Sequence, residues 1–310
     1  MTASRGGHIV QGLAALAISR AYVALGTLMA LTTPVRGDSP QCDHDRCYGS
    51  YAIGWSTELA ACSTRHLIGL VGSGFDLSHP ALTGAHLSAA KFGSKGQPQV
   101  QNGGDSTAAL SLLVGHDGSA PFGLIPKATV YVADIDETDP QYVVMALDWL
   151  QKSHVKIVQF SVPVVRDPLV AFALEGLSRD NVLVKAPVGV TGPTAEPSYP
   201  AADPNVIAVT AIDKELRTYP RAANGDYIDM AAPGVGVWAA SNKHSFDFQS
   251  GTALAASYVT AIAAATVGED GSSLNKIRFL SALSFVDLGS PGPDPIYGRG
   301  LVLAPPACLR

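Results

Sequence analysis

The 310-residue chain is 47% hydrophobic and 15% charged, with a formal net charge of −5. That much apolar material builds a large core and excludes intrinsic disorder. The acidic balance, with no Lys/Arg cluster, excludes a general nucleic-acid-binding surface.

The chain opens with Arg5 and Arg20, then the apolar run AYVALGTLMALTTPV (21–35), VRG and a polar DSPQ. This pattern predicts a secretory signal peptide over residues 1–37, cleaved after Gly37, and so a secreted or periplasmic protein. Arg20 interrupts the apolar stretch, leaving it short for a bilayer span. An uncleaved membrane anchor is the alternative. Cleavage removes three arginines and no acids, taking Lys+Arg from 21 to 18 against 26 Asp+Glu, a net charge of −8.

Residues 38–65 form a Cys-containing segment with Cys42, Cys47 and Cys62; Cys308 lies near the other end. An even count in an exported chain reads as two disulfides, with three possible connectivities. Cys42–Cys47 and Cys62–Cys308 are the expected pairs, because the second would pin the C-terminus to the start of the domain. Such a ring contributes about 4–5 kcal/mol in the chain-entropy model. A metal site from Cys42, His44 and Cys47 in CDHDRC is the competing reading; it lacks a fourth ligand and a reducing compartment.

From residue 66 onward, short β-branched runs alternate with helical patterns. HLIGLVG (66–72), ATVYVADI (128–135), KIVQFSV (156–162), VLVKAPV (182–188) and VIAVTAI (206–212) are nearly continuous apolar runs, as strands covered on both faces require. Between them, DSTAALSLLVG, PQYVVMALDWLQKS and PLVAFALEGLSRD read as helices. Val143, Ala146, Leu147 and Leu150 recur at helical spacing, and Pro140 and Pro168 suit first-turn positions. SGTALAASYVTAIAAATVG is a Gly-Thr turn feeding a buried helix. Alternation of strands and helices predicts one doubly wound α/β domain over residues 66–310. The Gly/Pro-rich stretches 94–104, 189–200 and 289–300 read as surface connections.

Several blocks, in order, resemble one family. LIGLVGSGFDLSHPAL, STAALSLLVG, GLIPKATVYVADI, VLVKAPVGVTGP, YPAADPNVIAVTAID, YIDMAAPGVGVWAA, SGTALAASYVTA and DLGSPGPDPIYGRGLV together are similar to the subtilisin-like serine peptidases, the subtilases, over residues 66–303. The resemblance implies a three-layer sandwich, with a mostly parallel sheet and helices on both faces. It also implies peptide hydrolysis by a serine, a histidine and an aspartate with an oxyanion donor. Position by position the match fails at the chemistry. Gly72 stands at the expected aspartate, Asp105 at the histidine, Val190 at the oxyanion asparagine and Ala253 at the serine, with Ser257 at a later proline. The carboxylate at Asp105 resembles the sedolisin cousins, which still use a serine. Along the expected substrate-pairing strand, Ser161, Val162 and Pro163 replace the family pattern, and Pro163 has no N–H to donate. Only 28 residues (38–65) are left for a propeptide. Calcium is implied by the resemblance, but no motif for it is legible.

Other candidates have structural readings. Ser257 lies one helical turn from Ala253, as a buried hydroxyl on a backbone carbonyl. Ser250 flanks the turn, and the Thr252 side chain is expected to point elsewhere. His79 and Asp76 are turn residues, and His116 lies too far along. Asp105 reads as a helix N-cap. The expectation is therefore a catalytically inactive homologue that binds a peptide or protein partner, with no nucleic acid, no membrane span in the mature form and its oligomeric state open. An active serine endopeptidase using non-standard residues is one alternative, and a structural or relict protein is another.

Overall fold

The computed structural model describes residues 45–93, 104–116, 122–136, 139–267 and 275–308. The expected signal peptide, Cys42 with its pairing, and the 94–103 connection lie outside the described residues. Two short helices come first, α1 (Tyr48–Ile53) and α2 (Thr57–Cys62), followed by β1 (Ile68–Gly72), β2 (His86–Phe92), α3 (Gly104–Val114) and β3 (Thr129–Ile135). Then come α4 (Pro140–Lys152), β4 (Ile157–Phe160), α5 (Pro168–Arg179), β5 (Leu183–Pro187), β6 (Val206–Ile212) and β7 (Met230–Pro233). The chain closes with β8 (Val237–Ser241), β9 (Ser245–Gln249), α6 (Thr252–Thr266), α7 (Lys276–Ala282), β10 (Ser284–Val286) and β11 (Leu301–Leu303).

Nine strands form one sheet in the order β10-β11-β7-β6-β5-β4-β1-β3-β2, and only the β10–β11 pair is antiparallel. The five apolar runs read from the sequence are β1, β3, β4, β5 and β6, at or next to the centre. Alternate residues of these strands feed two cores. Ile68, Leu70, Ile157, Leu183, Ile207 and Val209 pack on the side of α3 and α6. Val71, Val158, Val184, Ala186 and Ala208 pack on the side of α4 and α5. The fold is the three-layer, doubly wound α/β sandwich expected.

The helices follow their sequence signals. Asp139 and Asp167 cap α4 and α5 by accepting from Gln141 N and Leu169 N, each with proline in the first turn. Val143, Ala146, Leu147 and Leu150 are the buried stripe of α4. Every residue of α6 is buried, which its small side chains allow, and it crosses beneath β4, β5, β6 and β7.

Several elements had no clear signal in the sequence. β2 is an edge strand with mixed exposure, and β8–β9 is a separate antiparallel hairpin. The segment before residue 66 is integral to the domain, since Ile53, Trp55 and Leu59 join the core. The Cys62–Cys308 disulfide is formed, with Cα atoms 6.4 Å apart. Cys47 is also disulfide-bonded.

Candidate active site

In a parallel sheet the carboxyl ends of the strands share one edge. Here that edge gathers the turn after β1 and the first turns of α3 and α6. Ser106 Oγ accepts from Ser73 N at 3.2 Å, and Thr107 Oγ1 accepts from Asp76 N at 3.0 Å, so α3 clamps the turn that follows β1. Gly74 N donates to Asp134 Oδ1 of β3 at 2.8 Å, fixing the same turn from the other side. Ser257 Oγ shares its proton between the carbonyls of Ala109 (3.1 Å) and Ala253 (3.3 Å), tying α6 to α3. Gln159 of β4 donates to Ser257 Oγ at 3.0 Å and accepts from Thr260 Oγ1 at 2.6 Å. Gly72, Asp105 and Ala253 thus converge at one edge. Val190 lies on the loop that leaves β5, after Gly189 in the left-handed region at φ +90°. Arg221 connects that loop to the edge: its carbonyl accepts from Gly192 N at 2.9 Å, and its charge acts on Asp105.

The space at Gly72 is filled. A Cβ there would contact Ser161 Oγ and lie 2.6 Å from Ser106 Oγ and 2.8 Å from the Phe75 ring. Ser161 Oγ sits 3.1 Å from Val71 O and 3.3 Å from Ser106 Oγ, so two hydroxyls occupy the room an acidic side chain would need. Asp105 is exposed, yet surrounding protein pushes its carboxyl above the usual range against the pull of Arg221. It lies inside the first turn of α3, which begins at Gly104, and its carboxylate caps no backbone N–H among the described residues. The capping reading is corrected accordingly: the acid sits near the helix N-terminus without the hydrogen bond. Val190 is half-buried and apolar, and Ala253 is 6% exposed.

The expected substrate-pairing strand stops early. β4 ends at Phe160, and Ser161 N is already used by Val71 O at 2.8 Å. Ser161 is buried, Val162 half-buried and Pro163 exposed, with no ladder beyond the strand end. Pro163 lacks a donor and Ser161 has spent its own, so these residues form an extended rim rather than a strand.

The remaining hydroxyls and histidines fall into structural roles. Ser257 is fully buried, as the helical spacing predicts, and Ser250 Oγ accepts from Gly236 N at 3.0 Å. His79 is 1% exposed; its Nδ1 accepts from Ala81 N, which leaves Nε2 to donate toward the Ser241 and Ser245 carbonyls at 3.2 and 3.0 Å. His116 Nε2 contacts Thr83 O.

One Ser–His–Asp trio is not legible in the sequence because its histidine lies 166 and 168 positions from its serine and its acid. Asp76 Oδ2 and Ser78 Oγ lie 3.0 and 3.4 Å from His244 Nε2, and Ser78 Oγ donates to Asp76 Oδ1 at 2.6 Å. Nucleophile activation needs the acid on one ring nitrogen and the serine on the other. Here both share Nε2, and the serine proton is held by the acid. The trio is a surface latch between the turn after β1 and the loop joining β8 to β9.

Among the described residues no three His, Cys, Asp or Glu side chains gather to hold a metal ion. No helix of the described residues is long and apolar enough to cross a membrane.

Comparison with known proteins places this architecture. The subtilase family model matches residues 64–300. The minor extracellular protease Epr of Bacillus subtilis is 27% identical over 207 residues, 65% of this chain and 32% of Epr. The thermostable alkaline protease of Halalkalibacterium halodurans is 25% identical over 270 residues, 82% of this chain and 73% of the relative. Subtilisin E of Bacillus subtilis is 23% identical over 247 residues, 76% of this chain and 63% of the relative. The chain therefore spans from about a third to about three quarters of the length of these relatives. Among solved structures, the psychrophilic subtilisin-like protease Apa1 from Pseudoalteromonas shares the fold at a TM-score of 0.71 and 13% identity, over 86% of this chain and 96% of Apa1. A PatG macrocyclase in complex with peptide gives 0.68 at 17% identity, over 81% of this chain and 94% of that one. With a family model covering most of the described domain and the expected sandwich beneath it, the chain belongs to the subtilase family.

Proposed function

We propose that the chain is an exported, catalytically inactive subtilase homologue whose cleft binds a peptide or protein segment. One observation carries this reading. The positions that resemblance assigns to the aspartate, histidine, oxyanion asparagine and serine hold Gly72, Asp105, Val190 and Ala253, and Ser106 and Ser161 fill the space beside Gly72. Triad residues act as a unit, and losing the nucleophile alone costs many powers of ten in rate. With no hydroxyl at Ala253 for the Asp105 carboxylate or any other base to deprotonate, no acyl-enzyme can form on these residues. The sandwich and the sheet edge that carries these positions are kept, which supports a binding role. Export accords with the basic and apolar N-terminus and with the Cys62–Cys308 disulfide.

The test is a fluorophosphonate label and unfolded casein. No labelling and no cleavage are expected, together with saturable casein binding that Val190→Arg removes at unchanged Tm. Labelling that disappears in Ser78→Ala, Ser250→Ala or Ser257→Ala would establish an active peptidase instead. Absence of both cleavage and binding would leave a structural role and defeat the proposal.

A further inference from the structure

A half-open cavity of about 290 Å³ lies between the α1–α2 segment and residues 122–127. It shares no residue with the candidate site described above. Trp55, Ala60 and Ala61 line one side; Phe122, Leu124 and Lys127 line the other. The walls are held before any ligand arrives. Trp55 Nε1 donates to Leu124 O at 3.0 Å, locking the indole to the facing segment. Ser56 caps α2 by accepting from Leu59 N, and the Cys62–Cys308 disulfide anchors the end of that helix. Pockets for small ligands are characteristically apolar, preformed and marked by a few polar groups that fix orientation.

The charge distribution selects the occupant. None of the twelve lining residues is acidic, and Lys127 is the one cation among them. Lys127 is exposed and forms no hydrogen bond or ion pair within the described residues. An apolar cleft with a single unpaired ammonium at its rim favours an apolar tail ending in one anion. We propose that this cavity binds a medium-chain fatty acid, its chain between Trp55, Phe122 and Leu124 and its carboxylate on Lys127. Binding here is independent of what the peptidase-like cleft does.

Titration calorimetry of decanoate into the intact, disulfide-bonded protein tests this directly. One saturable site per chain is expected, with decyltrimethylammonium binding at least about tenfold more weakly, because its head group is repelled by Lys127. Lys127→Gln weakens decanoate about tenfold and leaves methyl decanoate unchanged. Ala61→Phe, at an exposed position, abolishes both without altering the circular dichroism. Decanoate shifts the tryptophan emission, and Trp55→Phe removes that shift. Absence of saturable binding, equal affinity for the cationic amphiphile, or full affinity in both Lys127→Gln and Ala61→Phe would overturn the proposal.

Discussion

Lys185 stands in β5 between Gln159 of β4 and Ile207 of β6, fully buried, and its Nζ has no hydrogen-bond partner. Neither neighbouring strand carries a titratable side chain. The one such group on α6, Tyr258, packs against Gly49 and the α1 side. Burial therefore pushes the Lys185 pKa well below its usual value with nothing to oppose it. The sign follows from proton counting. The unfolded chain holds this proton at pH values where the folded chain has shed it, so stability rises with pH from the lowered pKa toward the ordinary lysine range. Lys185→Met should raise stability at neutral pH by about 1–3 kcal/mol and flatten that slope. Urea unfolding across neutral and alkaline pH measures both, and an unchanged slope would refute the assignment. The same scale governs Gly72. Forcing a carboxylate beside Ser106 and Ser161 overpacks the turn, so Gly72→Asp should cost about 1–3 kcal/mol, read as a lowered Tm.

Among the elements, α6 is the one on which the most depends, because its buried hydroxyls replace apolar contact with directed bonds. Ser257 bonds α3 through the Ala109 carbonyl and β4 through Gln159. Ser257→Ala leaves the buried Gln159 amide short of a partner and should destabilise by about 1–3 kcal/mol, measured by denaturant midpoint. A change within experimental error would show that the network is dispensable. The central strands were legible in the sequence because burial on both faces writes itself as unbroken apolar runs, as in VIAVTAI. α4 and α5 were legible through their prolines and apolar stripes. β2, β8 and β9 were not, because exposed edges such as SFDFQ mix polar and apolar residues. At the candidate site, the residue identities at 72, 105, 190 and 253 could be read directly. The Ser106–Ser161 filling and the Asp76–Ser78–His244 latch could not, since each arises from contacts between distant segments. Lys185 sat in plain view within VLVKAPV, but only its neighbours on both strands reveal that it is unpaired.

For the whole molecule, the Cys62–Cys308 bond closes a ring with a sequence separation of 246, holding α2 against the segment beyond β11. The Cys62→Ser/Cys308→Ser pair, which leaves the Cys47 disulfide in place, should lower stability by about 5–6 kcal/mol in the chain-entropy model, measured as its denaturant midpoint against the parent chain. Equal midpoints would show that the chain without this bridge already keeps these ends together. The two serines beside Gly72 have a further consequence for how this chain can change. Substitutions that share a contact do not act independently. An acid introduced at 72 first meets both the Ser106 and Ser161 oxygens; an acid introduced after Ser106→Gly meets one of them fewer. The order of steps therefore decides how much stability the intermediate variant loses. Screens that explore one position at a time will see each step at its full cost, whereas paired libraries at 72 and 106 will sample the route in which the first step eases the second.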